Sequence, residues 1–183
     1  YAINSGIITY NPVSLIPFKK AERNTRRVLT KEEQRRLLKN LEKPEYASYK
    51  QCFLIMLYFG LRPCELQDAR FEGNFLIARN AKRKGGKIEY KKIPVCKQAR
   101  EKFNIQDTVI MPHRTDVLNR IFKRIIGDET ATQYYLRHTF ATKCQEYVRP
   151  DIVDIWMGDA PKGLSDGFIR TFPTSLCKSK WAK

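Results

Sequence analysis

Apolar residues recur at helical spacing along most of this chain. Leu37, Leu38 and Leu41 follow Thr30, and Thr30 with Glu33 forms a Thr-x-x-Glu capping box. This pattern predicts a helix opening at Thr30. Residues 48–59 are apolar on most faces, which predicts a central, buried helix ended by Gly60. Pro63 suits the first turn of a short helix over 63–68. The pattern then changes, and residues 74–79 and 87–95 read as strands joined by a basic hairpin tip containing Gly85 and Gly86. Thr115 is placed to cap a helix carrying the stripe Val117, Leu118, Ile121, Phe122 and Ile125. Thr132 is placed to cap another reaching Tyr147. Pro150 opens a last helix, with Ile152, Val153, Ile155 and Trp156 apolar and Gly158 at its end. Residues 1–29, broken by Asn11-Pro12 and Pro17, read as an arm. The expected class is α+β, mainly α with a small antiparallel β-sheet.

Charge changes this picture most. The 183 residues hold 35 Lys and Arg against 19 Asp and Glu, a net charge of +16. Such a surplus points to a polyanionic partner, nucleic acid being the commonest. Positions 79 to 102 hold ten basic and two acidic residues, so half of the net charge lies in 24 positions around the hairpin. A second basic stretch spans 19–27, where Arg26 and Arg27 are candidate DNA-backbone contacts, or simply a solvated linker. The hairpin offers Lys82, Arg83, Lys84 and Lys87 for the same purpose.

Cys52, Cys64, Cys96, Cys144 and Cys177 are widely spaced, without a Cys-x-x-Cys or a nearby His pair. They read as buried or half-buried thiols in a reducing compartment, with neither a disulfide framework nor a metal site. The longest apolar run, 52–60, is far too short for a membrane span, and no signal peptide is visible. The chain begins at Tyr1 rather than Met, so an excised boundary is expected there.

Two arginines stand out by context. Arg62 lies in Phe59-Gly60-Leu61-Arg62-Pro63-Cys64-Glu65-Leu66, in the turn after an apolar helix, with Glu65 one turn on and able to orient it. Arg137 lies in Tyr134-Tyr135-Leu136-Arg137-His138-Thr139-Phe140-Ala141-Thr142. On a helix Tyr134 and Arg137 share a face, while Leu136 and Phe140 point to the core. Alone, Arg62 reads more often as a structural salt bridge than as an active site, and the Arg137 segment alone is a weak signal.

Together these segments resemble the tyrosine-recombinase (phage-integrase) family. Gly60-Leu61-Arg62-x-x-Glu65-Leu66 resembles its first arginine box, and Leu136-Arg137-His138-Thr139-Phe140-Ala141-Thr142 its second. Ile155-Trp156-Met157-Gly158-Asp159 is similar to its Leu-Gly-His segment, and Lys82, ahead of Ile93-Pro94, to its hairpin lysine. The resemblance implies a catalytic domain over 28–173, preceded at 1–27 by a linker and the end of a core-binding domain. A short basic tail follows at 174–183. It also implies a metal-free, cofactor-free reaction on duplex DNA. A tyrosine oxygen attacks a phosphate, forming a 3′-phosphotyrosine and releasing a 5′-hydroxyl. A second 5′-hydroxyl then reverses the step. Arg62 and Arg137 would bind the phosphate oxygens, and Lys82 would protonate the leaving oxygen. Glu65 and His138 would support them. The implied setting is the cytoplasm of a prokaryote, at the nucleoid, in an enzyme of a phage, transposon or plasmid. The implied assembly is a homotetramer on DNA, the isolated fragment being open to a monomeric state.

Three positions depart from the family pattern. Tyr134 stands where His is usual, and a phenol with a reference pKa of about 10 is a poor base near neutrality. Asp159 stands where His or Trp is usual. A carboxylate there repels phosphate unless it pairs with Arg or Lys. The nucleophile position falls on Phe168 or Ile169, and neither has an oxygen to form the covalent bond. Tyr147 is the last tyrosine and lies too early. An engineered substitution, a decayed or repurposed relative, and an altered C-terminal segment all fit this pattern. The expected function is therefore a DNA strand-exchange enzyme by descent, inactive in cleavage. The alternative is a non-catalytic DNA-binding regulator or decoy. A type IB topoisomerase-like enzyme and a general RNA binder are further readings, disfavoured by the second arginine box and by the lack of an RNA motif.

Overall fold

The computed structural model of the protein describes residues 4–7, 9–10, 27–82, 88–103 and 110–159. Helix α1 spans Lys31–Asn40 and opens with the expected capping box: the Thr30 hydroxyl accepts from the Glu33 amide and the Glu33 carboxylate from the Thr30 amide. Helix α2 spans Ala47–Phe59 and ends at Gly60, whose φ of 64° is left-handed. A 3-10 turn at Pro63–Glu65 follows, shorter than the helix expected over 63–68. Strands β1 (Arg70–Glu72), β2 (Phe75–Arg79) and β3 (Tyr90–Pro94) form one antiparallel sheet in the order β1-β2-β3. Helices α3 (Lys97–Lys102), α4 (Thr115–Ile126), α5 (Tyr134–Gln145) and α6 (Pro150–Met157) complete the described fold. It is an α+β domain, mainly helical with one small sheet.

Helix α2 sits at the centre. Its residues 52–57 and Phe59 are all buried, as a helix apolar all round must be. It packs on α5, which packs on α6, and α6 also meets β3; α1 packs on α4. Phe59, Phe71 and Phe103 form an aromatic cluster with ring centroids 5.7–6.0 Å apart, sealing α2 against β1 and the end of α3. The Leu29 amide donates to the Thr139 hydroxyl at 2.8 Å, fixing the entry to α1 on α5.

Some local expectations are corrected. Thr115 is the first residue of α4; its N-cap is Arg114, which makes no side-chain cap but pairs with Asp116. Thr132 does not cap α5 either; Gln133 precedes the helix, and the helix ends at Gln145 rather than Tyr147. Strand β1 and helix α3 lie in segments where no element was expected. Cys52 and Cys144 are buried and Cys96 half-buried, but Cys64 is exposed. Cys177 lies outside the described residues.

Candidate phosphate-binding site

Two chain reversals bring the site together. Gly60 ends α2 and turns the chain toward Arg62. A Cβ on Gly60 would overlap the Phe140 ring on α5, so only glycine allows α2 and α5 to approach this closely. Gly158, at φ 73°, ends α6 with its Cα against the side chain of Asn80, where β2 enters the hairpin. The ends of α2 and α6 and the root of the hairpin therefore meet at one place.

Arg137 occupies that place. It is 4% exposed, and its guanidinium donates to the Gly60 carbonyl and, at 2.6 Å, to the Met157 carbonyl. Both carbonyls belong to helix C-termini, the ends that favour a cation. Arg62 enters from the other side, donating to the Glu65 carboxylate at 3.0 Å and, more weakly, to the Met157 carbonyl at 3.5 Å. The Glu65 carboxylate also accepts from the Arg62 amide at 2.8 Å, so one acid holds both the backbone and the side chain of Arg62.

Glu65 is itself buried, and its second partner is Lys91 on β3, whose Nζ lies 2.7 Å from Oε2. Arg137 Nη1 is 3.8 Å from the same oxygen. Burial alone would push the Glu65 carboxyl up. The Lys91 charge, the Arg62 amide and the Arg62 charge outweigh it and hold the carboxyl below its ordinary value. Burial brings Lys91 down to about 8 despite Glu65, with Arg137 and Arg62 pushing the same way. Burial and the Arg62 charge bring Arg137 down to about 10, so it stays charged at neutral pH.

Asp159, the residue after the α6 cap, faces all three expected cations. Its carboxylate pairs with Lys82 Nζ, lies 3.8 Å from Arg62 Nη2 and 4.0 Å from Arg137 Nη2. Four cations (Arg62, Lys82, Lys91 and Arg137) meet two carboxylates (Glu65 and Asp159), leaving the cluster at +2. Tyr134 is 41% exposed on α5 and close enough for its phenol to act on the Arg137 charge, as is Cys64. His138 is half-buried on α5.

Arg62, Glu65, Lys82, Arg137 and Asp159 thus lie together in one charged cluster. Lys91 was missed; the signal for it was its place two residues before Ile93, on the inward face of an alternating strand. Arg27 is not a free cation: it pairs with Glu33 and Asp128 and lies over the Tyr135 ring at 5.3 Å. These contacts anchor the start of α1 to the end of α4 and to α5. Arg26, Arg83, Lys84, Lys87, Phe168 and Ile169 lie outside the described residues. Among the described residues no group of His, Cys, Asp and Glu could hold a metal ion. No described helix is long and apolar enough to cross a membrane.

No family model matches the sequence, and no curated protein does. Solved structures do match. The structure of the Tn1549 transposon integrase in complex with circular intermediate DNA is similar over 96% of this chain and 71% of that one, at 19% identity and a TM-score of 0.64. The lambda integrase tetramer bound to a Holliday junction matches over 90% of this chain at 18% identity and a TM-score of 0.61. This chain spans 56% of that one, little more than half its length. XerA recombinase matches over 95% of this chain and 68% of that one, at 16% identity and a TM-score of 0.53. The fold is that of the tyrosine-recombinase catalytic domain.

Proposed function

We propose that the chain is the catalytic region of an integrase-type tyrosine recombinase of a mobile element, acting on duplex DNA. The observation that carries this reading is the convergence of Arg62, Lys82 and Arg137 on one carboxylate, that of Asp159. A carboxylate and a phosphodiester present similar paired oxygens to a guanidinium fork. The point these cations share is therefore a phosphate position, and the surplus of +2 suits the charge that builds there during transfer.

In this reading Arg62 and Arg137 hold the two non-bridging oxygens. Carbonyls at two helix ends and the Glu65 carboxylate set their planes before DNA arrives. Lys82, at the root of the hairpin, reaches the bridging oxygen that leaves as a 5′-hydroxyl. Tyr134 donates to a phosphate oxygen rather than acting as a base. Arg26, Arg83, Lys84 and Lys87 add positive charge for further contacts to the DNA backbone. The full protein assembles as a tetramer on paired duplexes. Positions 168 and 169 hold Phe and Ile, which lack the oxygen a 3′-phosphotyrosine needs, so in this reading these residues hold phosphate without cutting it.

A nicked suicide duplex tests the reading. The chain should bind it without forming a covalent adduct, and Phe168→Tyr or Ile169→Tyr should form one, seen as a shifted band on a denaturing gel. Binding that is tight and Arg62-dependent, with no adduct from either variant, would favour the second reading: a non-catalytic DNA-binding regulator. The Asp159 carboxylate at the phosphate position gives that reading its support. Duplex binding indifferent to Arg62→Ala would defeat both.

A further inference from the structure

Beneath the phosphate position lies a charge that the reaction itself does not require. Lys91 is 6% exposed, one of very few charged side chains buried in the described structure. It stands opposite Ala78 across the β2–β3 ladder, where the small alanine leaves room for a long side chain to run along the inner face. Its Nζ meets Glu65 Oε2, the oxygen that also accepts from the Arg62 amide and faces Arg137.

Burying an ammonium is costly, and a purely structural pair at this place is often replaceable by apolar residues without loss. What the pair does here follows from geometry. Glu65 has two oxygens and three cations around it. Lys91 takes Oε2 at 2.7 Å, while Arg137 Nη1 stays back at 3.8 Å and donates to carbonyl oxygens instead. Without the ammonium, Oε2 would keep only the Arg62 amide, and the buried carboxylate would lose its nearest neutralising charge; the next cation beside that oxygen is Arg137, whose guanidinium would tilt toward Glu65. Such a tilt would draw it off the Asp159 side, where phosphate is placed.

We propose that Lys91 is a positioning residue of the phosphate site: it neutralises Glu65 from below, so that Arg62 and Arg137 keep their outer N–H groups for the DNA backbone. This rests on the phosphate reading above. Lys91 touches no phosphate and acts through Glu65. Its protonation should therefore be felt in DNA affinity. The charged groups facing it are Glu65, Arg62 and Arg137, and the titratable Cys64 and Tyr134 face Arg137 in turn.

The test is duplex affinity by fluorescence anisotropy from pH 7 to 9.5, in a Cys64→Ser background that removes the exposed thiol. With Lys91 present, affinity should fall about tenfold as pH rises through about 8, the size expected for one charge-assisted contact misplaced. Lys91→Met should bind about tenfold more weakly at pH 7 and show no such step. Should that variant not fold, Glu65→Gln with Lys91→Met supplies a neutral pair of similar volume, in which the step should also vanish. A step that persists in the folded double variant, or that is missing when Lys91 is present, overturns the inference. Arg62→Ala separates the two levels. If it leaves affinity unchanged, the phosphate reading fails; if it weakens binding while the step ignores Lys91, only the role of Lys91 fails.

Discussion

Replacing Asp159 by Asn should make this protein bind duplex DNA more tightly. The carboxylate lies where Lys82, Arg62 and Arg137 converge, so a phosphodiester must displace it or settle beside it. Asp159 is about one-third exposed, and water screens it. Two unit charges about 5 Å apart, at an effective dielectric between roughly 40 and 80, repel by roughly 1–2 kcal/mol. Asn removes that repulsion and leaves the shape, so Kd should drop roughly five- to thirtyfold. The substitution also breaks a half-exposed ion pair with Lys82, which contributes about 0–1 kcal/mol to stability. Anisotropy titration of a labelled duplex against both proteins reads the affinity, and a thermal melt confirms that the variant is folded. Affinity unchanged or weakened in a folded Asp159→Asn would refute the placement of phosphate. The carboxylate would then be an orienting group for Lys82 that DNA needs in place.

Other outcomes follow from the same geometry. Gly60→Ala should destabilise the fold by roughly 1–3 kcal/mol or more in a urea melt, since it places a Cβ at left-handed φ and against Phe140. Duplex affinity should fall steeply with salt, and Arg62→Ala should lower the log–log slope by about one, the loss of one phosphate contact. A flat salt response would exclude backbone binding. Stability should also depend on pH through Lys91. Its folded value is about 8 against 10.5 ordinarily, so between those values the unfolded chain holds a proton that the folded chain has released. Stability attributable to Lys91 should therefore rise with pH across that window, by at most about 1.4 kcal/mol per unit, and stay flat below it. The difference between the parent protein and Lys91→Met in denaturant melts isolates this slope, and a fall across the window would contradict it.

The sequence made much of this architecture legible because local chemistry and tertiary need coincide. Thr30 and Glu33 cap α1 with their own side chains, and Gly60 and Gly158 stop helices where no L-residue would turn easily. Arg62 and Glu65 find each other because they lie three residues apart across one turn. The failures occurred where local signals are ambiguous or contacts are distant. Thr115 and Thr132 carry the right hydroxyl at nearly the right place, but Arg114 and Gln133 take the cap positions. Strand β1 is three residues of an edge, too short to show alternation. Lys91 hid inside a run of basic residues that reads as surface charge. Only the covering of β3 by the rest of the fold turns its side chain into the core, while Lys92 stays exposed. The convergence of Lys82 and Asp159 spans 77 positions, and no local pattern encodes it.

A structure of the protein with duplex DNA tests the central claim most directly. One phosphodiester should lie with its two non-bridging oxygens within hydrogen-bonding distance of the Arg62 and Arg137 guanidinium groups. Lys82 should be at a bridging oxygen, and Asp159 turned away from all three cations. DNA bound on another face, with the Asp159 carboxylate still held by Lys82, Arg62 and Arg137, would contradict it.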